Sequence, residues 1–248
     1  MDSTNYREYN IKCVTFDIDN TLVKTGEILG KVRKKMIRYL KGKLSTKYGK
    51  EKFYDIENRF KKILEITGSN YGYHINILLM GYNLDPKNHR ELIDSTVGVY
   101  HKYRDKYFRP IRGVLGTLKT LKQKGLIVGV ITDGRLDKQL DKLNYLGIRD
   151  YINFRVVSEE VGFEKPNPKL FEEAIMKARE IYPGLKTEEC VHIGDKPEDI
   201  EGAKKGMWGV AIRVNSGPYK KLVPKKEPDY TVRKPSQVIR IIEPLISA

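Results

Sequence analysis

The sequence has few cysteines and histidines and no long apolar stretch, and each shortage excludes a class of protein. Its 248 residues contain two cysteines, Cys13 and Cys190, which cannot form a disulfide framework, and no Cys/His spacing is typical of zinc. Nothing approaches the roughly 20 consecutive apolar residues that a membrane span requires. The first dozen residues lack the apolar core of a secretion signal, so we expect a soluble, cytoplasmic protein. The four histidines are scattered, and we interpret each as a surface or core residue: His74, His89, His101 and His192.

Negative charge is scarce in one part of the chain. The net charge is +15, and residues 24–109 hold 20 Lys and Arg against 9 Asp and Glu. This excess of positive charge attracts anions, which include nucleic acids, acidic membrane surfaces and phosphorylated small molecules. The densest basic stretch, residues 31–43, is interpreted as a solvated helix face, with a grip on nucleic acid as the alternative.

Short runs rich in β-branched residues recur along the chain and predict strands. They cover residues 13–16, 127–131, 154–157, 191–193 and 210–214, and helical patterns separate the later ones. Buried strands that alternate with helices are typical of a parallel sheet covered on both faces. The predicted fold class is therefore α/β, with a Rossmann-like core.

Residues 27–107 have a different pattern, which predicts about four helices and no strand. Apolar residues recur at helical spacing, beginning with Ile28, Val32, Met36 and Leu40. A helical block between the first and second strands is an inserted domain. We place this four-helix cap domain at residues 25–109 and the catalytic core at residues 1–24 and 110–248.

Polar residues follow four of the predicted strands, at the sheet edge where α/β proteins bind ligands. Asp17 and Asp19 follow the first strand, and side chains two apart in an extended segment point the same way. We therefore expect a cation beside them to offset their repulsion. After the second strand, Thr132, Asp133 and Gly134 open a helix in an arrangement that suits phosphate.

The two later segments complete the set. Lys165 lies between Glu164 and Pro166 on a stiff loop, and Asp195 and Asp199 follow the fourth strand, where their hard oxygens suit Mg²⁺. Each segment alone is an ordinary turn or helix cap. Because the four segments occur in order, each directly after a predicted strand, we expect them to meet at one edge of the sheet and form a single site.

The motif set resembles the haloacid dehalogenase superfamily, in its phosphatase branch with a helical cap. The matching segments are FDIDNTL at 16–22, ITDG at 131–134, EKPNP at 164–168 and GDKPEDIEGAKKGM at 194–207. Within the superfamily the chain is similar to an archaeal group of glyceraldehyde 3-phosphate phosphatases. The aspartate at position 19 argues for phosphate chemistry and against dehalogenation.

The resemblance implies a role for each site residue. Asp17 is then the nucleophile, Asp19 the general acid and base, and Lys165 a catalytic and phosphate-binding residue. The phosphate-binding set is Thr132, Asp133, Gly134 and Lys165, and the Mg²⁺ set is Asp17, Asp19, Asp195 and Asp199. Because Asp19 must begin protonated, we expect its neighbours or the cap to raise its pKa.

The predicted function is Mg²⁺-dependent hydrolysis of a small phosphate monoester through an aspartyl-phosphate. The substrate classes considered are sugar phosphates, triose phosphates, phosphoglycolate and nucleotides. The alternatives are a phosphomutase of the same family and a basic nucleic-acid-binding protein. We expect a monomer or homodimer, no membrane partner and no nucleic-acid partner.

Overall fold

The computed structural model describes residues 10–67 and 70–246, and the chain divides into two compact units. One contains the residues up to Gly26 and from Arg109 onwards, and the other spans Glu27–Phe108. The start of the chain, where we expect no secretion signal, lies outside the described residues up to position 9. No helix within the described ranges combines the length and the apolarity that crossing a bilayer demands.

The first unit is built on a six-stranded parallel sheet, which confirms the predicted α/β class. The strands are β1 (Cys13–Phe16), β2 (Ile127–Thr132), β3 (Phe154–Val157), β4 (Cys190–Gly194), β5 (Val210–Val214) and β6 (Tyr230–Val232). Their order across the sheet is β3-β2-β1-β4-β5-β6. Every residue of β1, β2, β4 and β5 is buried, as expected for strands covered on both faces.

The sequence pattern predicts five of these strands and misses β6. Its three residues include two exposed ones, Tyr230 and Thr231, and only Val232 is buried. An edge strand this short has no continuous apolar run, which is the feature that predicts the other five.

Helices lie between most of these strands along the chain, and one follows the last strand. Within this unit they are α5 (Val114–Gln123), α6 (Leu136–Leu146), α7 (Ser158–Val161), α8 (Lys169–Ile181), α9 (Pro197–Lys205) and α10 (Ile239–Ile242). Helix α8 buries one apolar face against the sheet through Leu170, Phe171, Ala174, Ile175 and Ala178. The sequence predicts this face from the helical spacing of Leu170, Phe171, Ala174 and Ile175.

The two cysteines lie side by side in the centre of the sheet. Cys13 and Cys190 are register partners on β1 and β4, and both are buried free thiols. A hydrogen bond with Cys190, together with burial, raises the pKa of Cys13. A thiol with a raised pKa is a poor nucleophile, which fits a role for Cys13 as a small hydrophobic group.

The second unit is helical in its described residues. Its helices are α1 (Thr25–Tyr48, which begins in the first unit), α2 (Ile56–Thr67), α3 (Tyr71–Met80) and α4 (Arg90–Tyr107), with single 3-10 turns at Glu51–Phe53 and Pro86–His89. The predicted apolar face of α1 is buried at Ile28, Val32, Met36 and Leu40. The core of this unit also draws on α2, α3, α4 and the first 3-10 turn, with Phe53, Ile56, Ile75 and Leu78 among its fully buried residues.

Candidate active site

The carboxyl ends of β1, β2 and β4 bring the predicted site residues together around Lys165. The Lys165 side chain is buried, and its Nζ donates to Asp17 Oδ1 at 2.7 Å, to Asp199 Oδ1 at 2.5 Å and to the Ile131 carbonyl at 3.2 Å. The Lys165 ammonium is therefore the cation expected beside Asp17. Its position depends on residues 34 and 148 positions away in the sequence, so only folding can assemble it.

The loop that carries Lys165 is held by Asp133. The backbone N–H of Lys165 donates to Asp133 Oδ1 at 2.9 Å. This contact assigns Asp133 a structural use, which is to attach the loop after α7 to the end of β2. Its predicted role as a phosphate-binding side chain stays a prediction.

Gly134 fits closely into its turn. Its φ is +120°, in the region that favours glycine, and a Cβ there would meet the Gln139 side chain. Its N–H donates to Ser158 Oγ at 2.8 Å. This contact joins the turn to the start of α7, and the predicted part of Gly134 in phosphate binding stays a prediction. The side chain available at this turn is Thr132, whose buried hydroxyl has no hydrogen-bond partner within the described residues.

Three carboxylates form a tight cluster at the ends of β1 and β4. Ligand atoms of Asp17, Asp195 and Asp199 all lie within 4.8 Å of one another, and all three residues are buried. Burial raises the pKa of Asp17 to about 7, with Asp199 and Asp19 adding to the rise and Lys165 opposing it. Burial, Asp17 and Asp199 raise the pKa of Asp195 to about 8. The cluster thus contains more negative charge than its lysine can offset.

Asp199 differs from its two neighbours because both of its oxygens are engaged. Oδ1 accepts from Lys165, and Oδ2 accepts from the Lys196 backbone N–H at 2.9 Å. Burial would raise the pKa of Asp199, but Lys165 and the adjacent His192 outweigh it and hold the pKa below its usual range. Gly194 makes this placement feasible, because a Cβ at position 194 would overlap the Asp199 carboxyl group. These contacts favour a supporting role for Asp199, and direct metal ligation by it stays a prediction.

The structure also shows which acceptors could hold a metal. Asp17 Oδ2 and both carboxylate oxygens of Asp195 are buried and have no hydrogen-bond partner in the described part of the chain. Buried acceptors without partners are costly, and a hard divalent cation such as Mg²⁺ would satisfy them. The residues present therefore fit the predicted metal, which Asp17 and Asp195 would hold through these oxygens.

Asp19 has a different set of partners, which the sequence did not predict. Lys142 Nζ on α6 donates to both carboxylate oxygens, at 2.7 and 2.6 Å, and the Thr25 hydroxyl also donates to Oδ1. Gln139 Nε2 lies 3.5 Å from Oδ2. Lys142 and Lys138 both occupy the amphipathic helix α6, and sequence alone does not separate a site lysine from a solvated one.

The expectation of a raised pKa for Asp19 is wrong for this structure. Burial does favour the protonated form, but the charge and hydrogen bonds of Lys142, with those of Thr25 and Gln139, outweigh burial and lower the pKa of Asp19. The physical reason is the ion pair with Lys142, a residue 123 positions away in the sequence.

His192 lies beneath the site as a buried core residue, as interpreted from the sequence, but it also contacts the charged cluster. Its Nε2 is 3.6 Å from Asp199 Oδ1, and its Nδ1 is 2.9 Å from Thr15 Oγ1. Phe171 and Trp208 pack edge-on against the ring. Burial lowers the pKa of His192, with Asp199 opposing the effect. A histidine inside an apolar strand gives no sequence signal that would separate this role from ordinary core packing.

Comparison with known proteins defines the class to which this fold and site belong. A sequence profile of the haloacid dehalogenase-like hydrolases matches residues 14–212. The chain belongs to that family. Among solved structures, a HAD phosphatase from Thermococcus onnurineus aligns with a TM-score of 0.59 and 26% identity, over 94% of this chain and 98% of the other.

Archaeal proteins of known name are similar over nearly the whole length. The glyceraldehyde 3-phosphate phosphatase of Methanopyrus kandleri is 34% identical, over 95% of this chain and 98% of its own. The enzyme of the same name from Methanocaldococcus jannaschii is 33% identical, over 95% and 98% respectively. A pyrophosphatase of Halalkalibacterium halodurans is 26% identical, over 94% and 97%. These relatives are phosphatases, and they confirm the predicted enzyme class.

Proposed function

We propose that this protein is a Mg²⁺-dependent phosphatase that transfers the phosphoryl group of a small phosphate monoester to Asp17 and then to water. The proposal rests on one observation: buried carboxylate oxygens without a hydrogen-bond partner lie in the same cluster as a buried ammonium. Asp17 Oδ2 and the Asp195 carboxylate have no hydrogen-bond partner among the described residues, while Lys165 holds Asp17 Oδ1.

The charges of the site support this chemistry. A phosphate monoester dianion repels a carboxylate nucleophile, and three buried carboxylates share one buried ammonium here. Mg²⁺ held by Asp17 and Asp195 would supply the positive charge that lets a phosphate dianion approach a carboxylate. The Lys165 contact orients the Asp17 carboxylate, which is the nucleophile of the proposed reaction.

Two further residues would complete the reaction. The Thr132 hydroxyl would donate to a phosphoryl oxygen, which fits its lack of a partner in the described structure. Asp19 would give a proton to the leaving oxygen in the first half of the reaction and take one from water in the second half. Because Lys142 holds Asp19 as a carboxylate in this structure, the first half requires that ion pair to open.

The substrate proposed first is glyceraldehyde 3-phosphate. The support is the similarity, over nearly the full chain, to archaeal enzymes that carry this name. Other triose phosphates, sugar phosphates, phosphoglycolate and nucleotides follow as related classes of small monoester.

The test is phosphate release by purified protein from a panel of these esters, with p-nitrophenyl phosphate as a general probe. Each assay is run with Mg²⁺ and with excess chelator. We expect turnover only with the metal, and none from the Asp17→Asn variant, which keeps the size of the side chain but removes the nucleophile. Turnover by Asp17→Asn at the wild-type rate would contradict the covalent mechanism, and full activity in chelator would contradict the metal assignment.

A further inference from the structure

The Asp19 carboxylate is fixed by a lysine that belongs to none of the four motifs. Lys142 Nζ lies 2.7 Å from Oδ1 and 2.6 Å from Oδ2, so one ammonium bonds to both oxygens. The Thr25 hydroxyl donates to Oδ1, and Gln139 Nε2 lies within 3.5 Å of Oδ2. Three donors from two elements therefore determine the orientation of this one carboxylate.

Lys142 is held in place by its own helix. It lies three residues after Gln139 on α6, so the two side chains share a helix face. Gln139 is buried and also donates to the Asp133 carbonyl at 2.6 Å, which ties α6 to the end of β2. The Lys142 side chain is 17% exposed, whereas that of Lys138, one turn earlier on the same helix, is 51% exposed. Lys142 is thus distinct from the solvated lysines around it.

The two halves of the proposed reaction require Asp19 to act first as a proton donor and then as a proton acceptor. In the first half Asp19 would donate a proton, but in this structure both of its oxygens accept hydrogen bonds from Lys142. The second half needs a fixed carboxylate beside the attacking water. The arrangement seen here fits the second half.

We propose that Lys142 is a positioning residue for the second half of the reaction, in which it fixes the Asp19 carboxylate that takes a proton from the hydrolytic water. The inference rests on the proposed function. In this step the water oxygen forms a bond to phosphorus, and the bond between phosphorus and Asp17 breaks. The electron pair returns to the Asp17 carboxylate, the water proton moves to Asp19, and phosphate leaves.

A kinetic consequence separates this role from others. The parameter kcat/KM reports the steps up to departure of the leaving group, whereas kcat also includes hydrolysis of the aspartyl-phosphate. Loss of Lys142 should therefore lower kcat and KM together and leave kcat/KM unchanged or higher. A placed general base contributes roughly 10²–10⁴-fold to rate, so we expect kcat to fall by about tenfold or more when its positioning is lost.

The experiment compares Lys142→Met with Lys142→Arg and with Lys138→Met. Each full-length variant is assayed with glyceraldehyde 3-phosphate and with p-nitrophenyl phosphate. The steady-state fraction of enzyme carrying a phosphoryl group is measured by rapid acid quench and intact-protein mass spectrometry. Lys142→Met should bring kcat to a similar, lower value for both substrates, because both pass through the same phosphorylated enzyme, and it should raise the phosphorylated fraction.

The other variants serve as rescue and control. Arginine can donate to both oxygens of a carboxylate, so Lys142→Arg should recover most of kcat. Lys138→Met removes an exposed lysine from the same helix and should match the wild type in every measurement. Altered kinetics in Lys138→Met would show that the loss of charge or of helix stability, and not the loss of the Asp19 contact, causes the effect of Lys142→Met.

Three outcomes would overturn the inference. A rise in KM with kcat unchanged would make Lys142 a substrate-binding residue. An equal fall of kcat and kcat/KM, without accumulation of phosphorylated enzyme, would make its role structural. Unchanged kinetics would make the contact irrelevant to turnover. Failure of the proposed function itself is distinguishable, because Asp17→Asn would then turn over and wild-type enzyme would carry no phosphoryl group in the acid quench.

Discussion

Replacing Asp17 with asparagine should stabilise the metal-free protein while it abolishes turnover. Asp17 is 3% exposed, and burial together with neighbouring carboxylates raises its pKa from 3.8 to about 7 against the opposing effect of Lys165. The ionised form is therefore unfavourable in the folded protein. Asparagine has nearly the same shape, can still accept the Lys165 hydrogen bond and carries no charge.

The expected magnitude follows from the pKa of Asp17. One pKa unit corresponds to about 1.4 kcal/mol, so ionised Asp17 destabilises the metal-free fold by on the order of 2–4 kcal/mol. For a chain of this size, 1 kcal/mol moves Tm by roughly 2–4 °C, which gives the variant an advantage of roughly 5–15 °C.

The pH dependence has a definite sign. A carboxyl group whose pKa is raised by folding binds more protons in the folded state than in the unfolded state between the two pKa values. Its effect on wild-type stability is therefore smallest near pH 4 and grows as pH rises towards about 7. The advantage of Asp17→Asn should be small at pH 5 and fully present at pH 8.

Calorimetric unfolding in excess chelator, at pH 5 and pH 8, measures this difference directly. Asp137→Asn is the matched control, because Asp137 is an exposed aspartate of the same unit and pairs with Arg135, which is also exposed. It should leave Tm nearly unchanged at both values of pH. A Tm for Asp17→Asn at or below that of the wild type at pH 8 would refute the reasoning from buried charge.

Three further predictions concern the metal, the cysteines and the basic unit. Mg²⁺ should raise the Tm of the wild type more at pH 8 than at pH 6, because protons compete with the metal for Asp17 and Asp195, whose pKa values are about 7 and 8. Asp195→Asn should remove most of that rise. An equal rise at both pH values would count against these ligands. Combined replacement of Cys13 by Ala and Cys190 by Val should leave kcat nearly unchanged, because both thiols are buried and free, and a large loss of turnover at constant fold would show a chemical role. The ratio kcat/KM should fall as salt rises, because residues 24–109 carry an excess of 11 positive charges that would attract an anionic substrate. This attraction acts over a Debye length of about 8 Å at physiological salt. A ratio that does not depend on salt would show that those charges are only solvated surface.

Local pattern was sufficient to predict most of the fold. Five strands are continuous apolar runs that end in turn residues, and such runs need no partner to be recognised in the sequence. The same holds for α1, whose buried residues recur at helical spacing. Strand β6 was missed because two of its three residues face solvent.

The sequence by itself determined the candidate site as a set of residues. Asp17, Thr132, Lys165 and Asp195 each follow a predicted strand or lie on a stiff loop, and parallel strands end at one edge of their sheet. Sequence order was therefore enough to predict that these residues lie together.

Only the tertiary structure decided how the charges pair. The contacts of Asp19 with Lys142 and of Asp199 with Lys165 and His192 join residues far apart in the chain. Their strength depends on burial and on distances of a few ångströms, which no periodic pattern encodes. The mechanism implied by the family resemblance predicted a raised pKa for Asp19, and the ion pair with Lys142 on α6 lowers it instead.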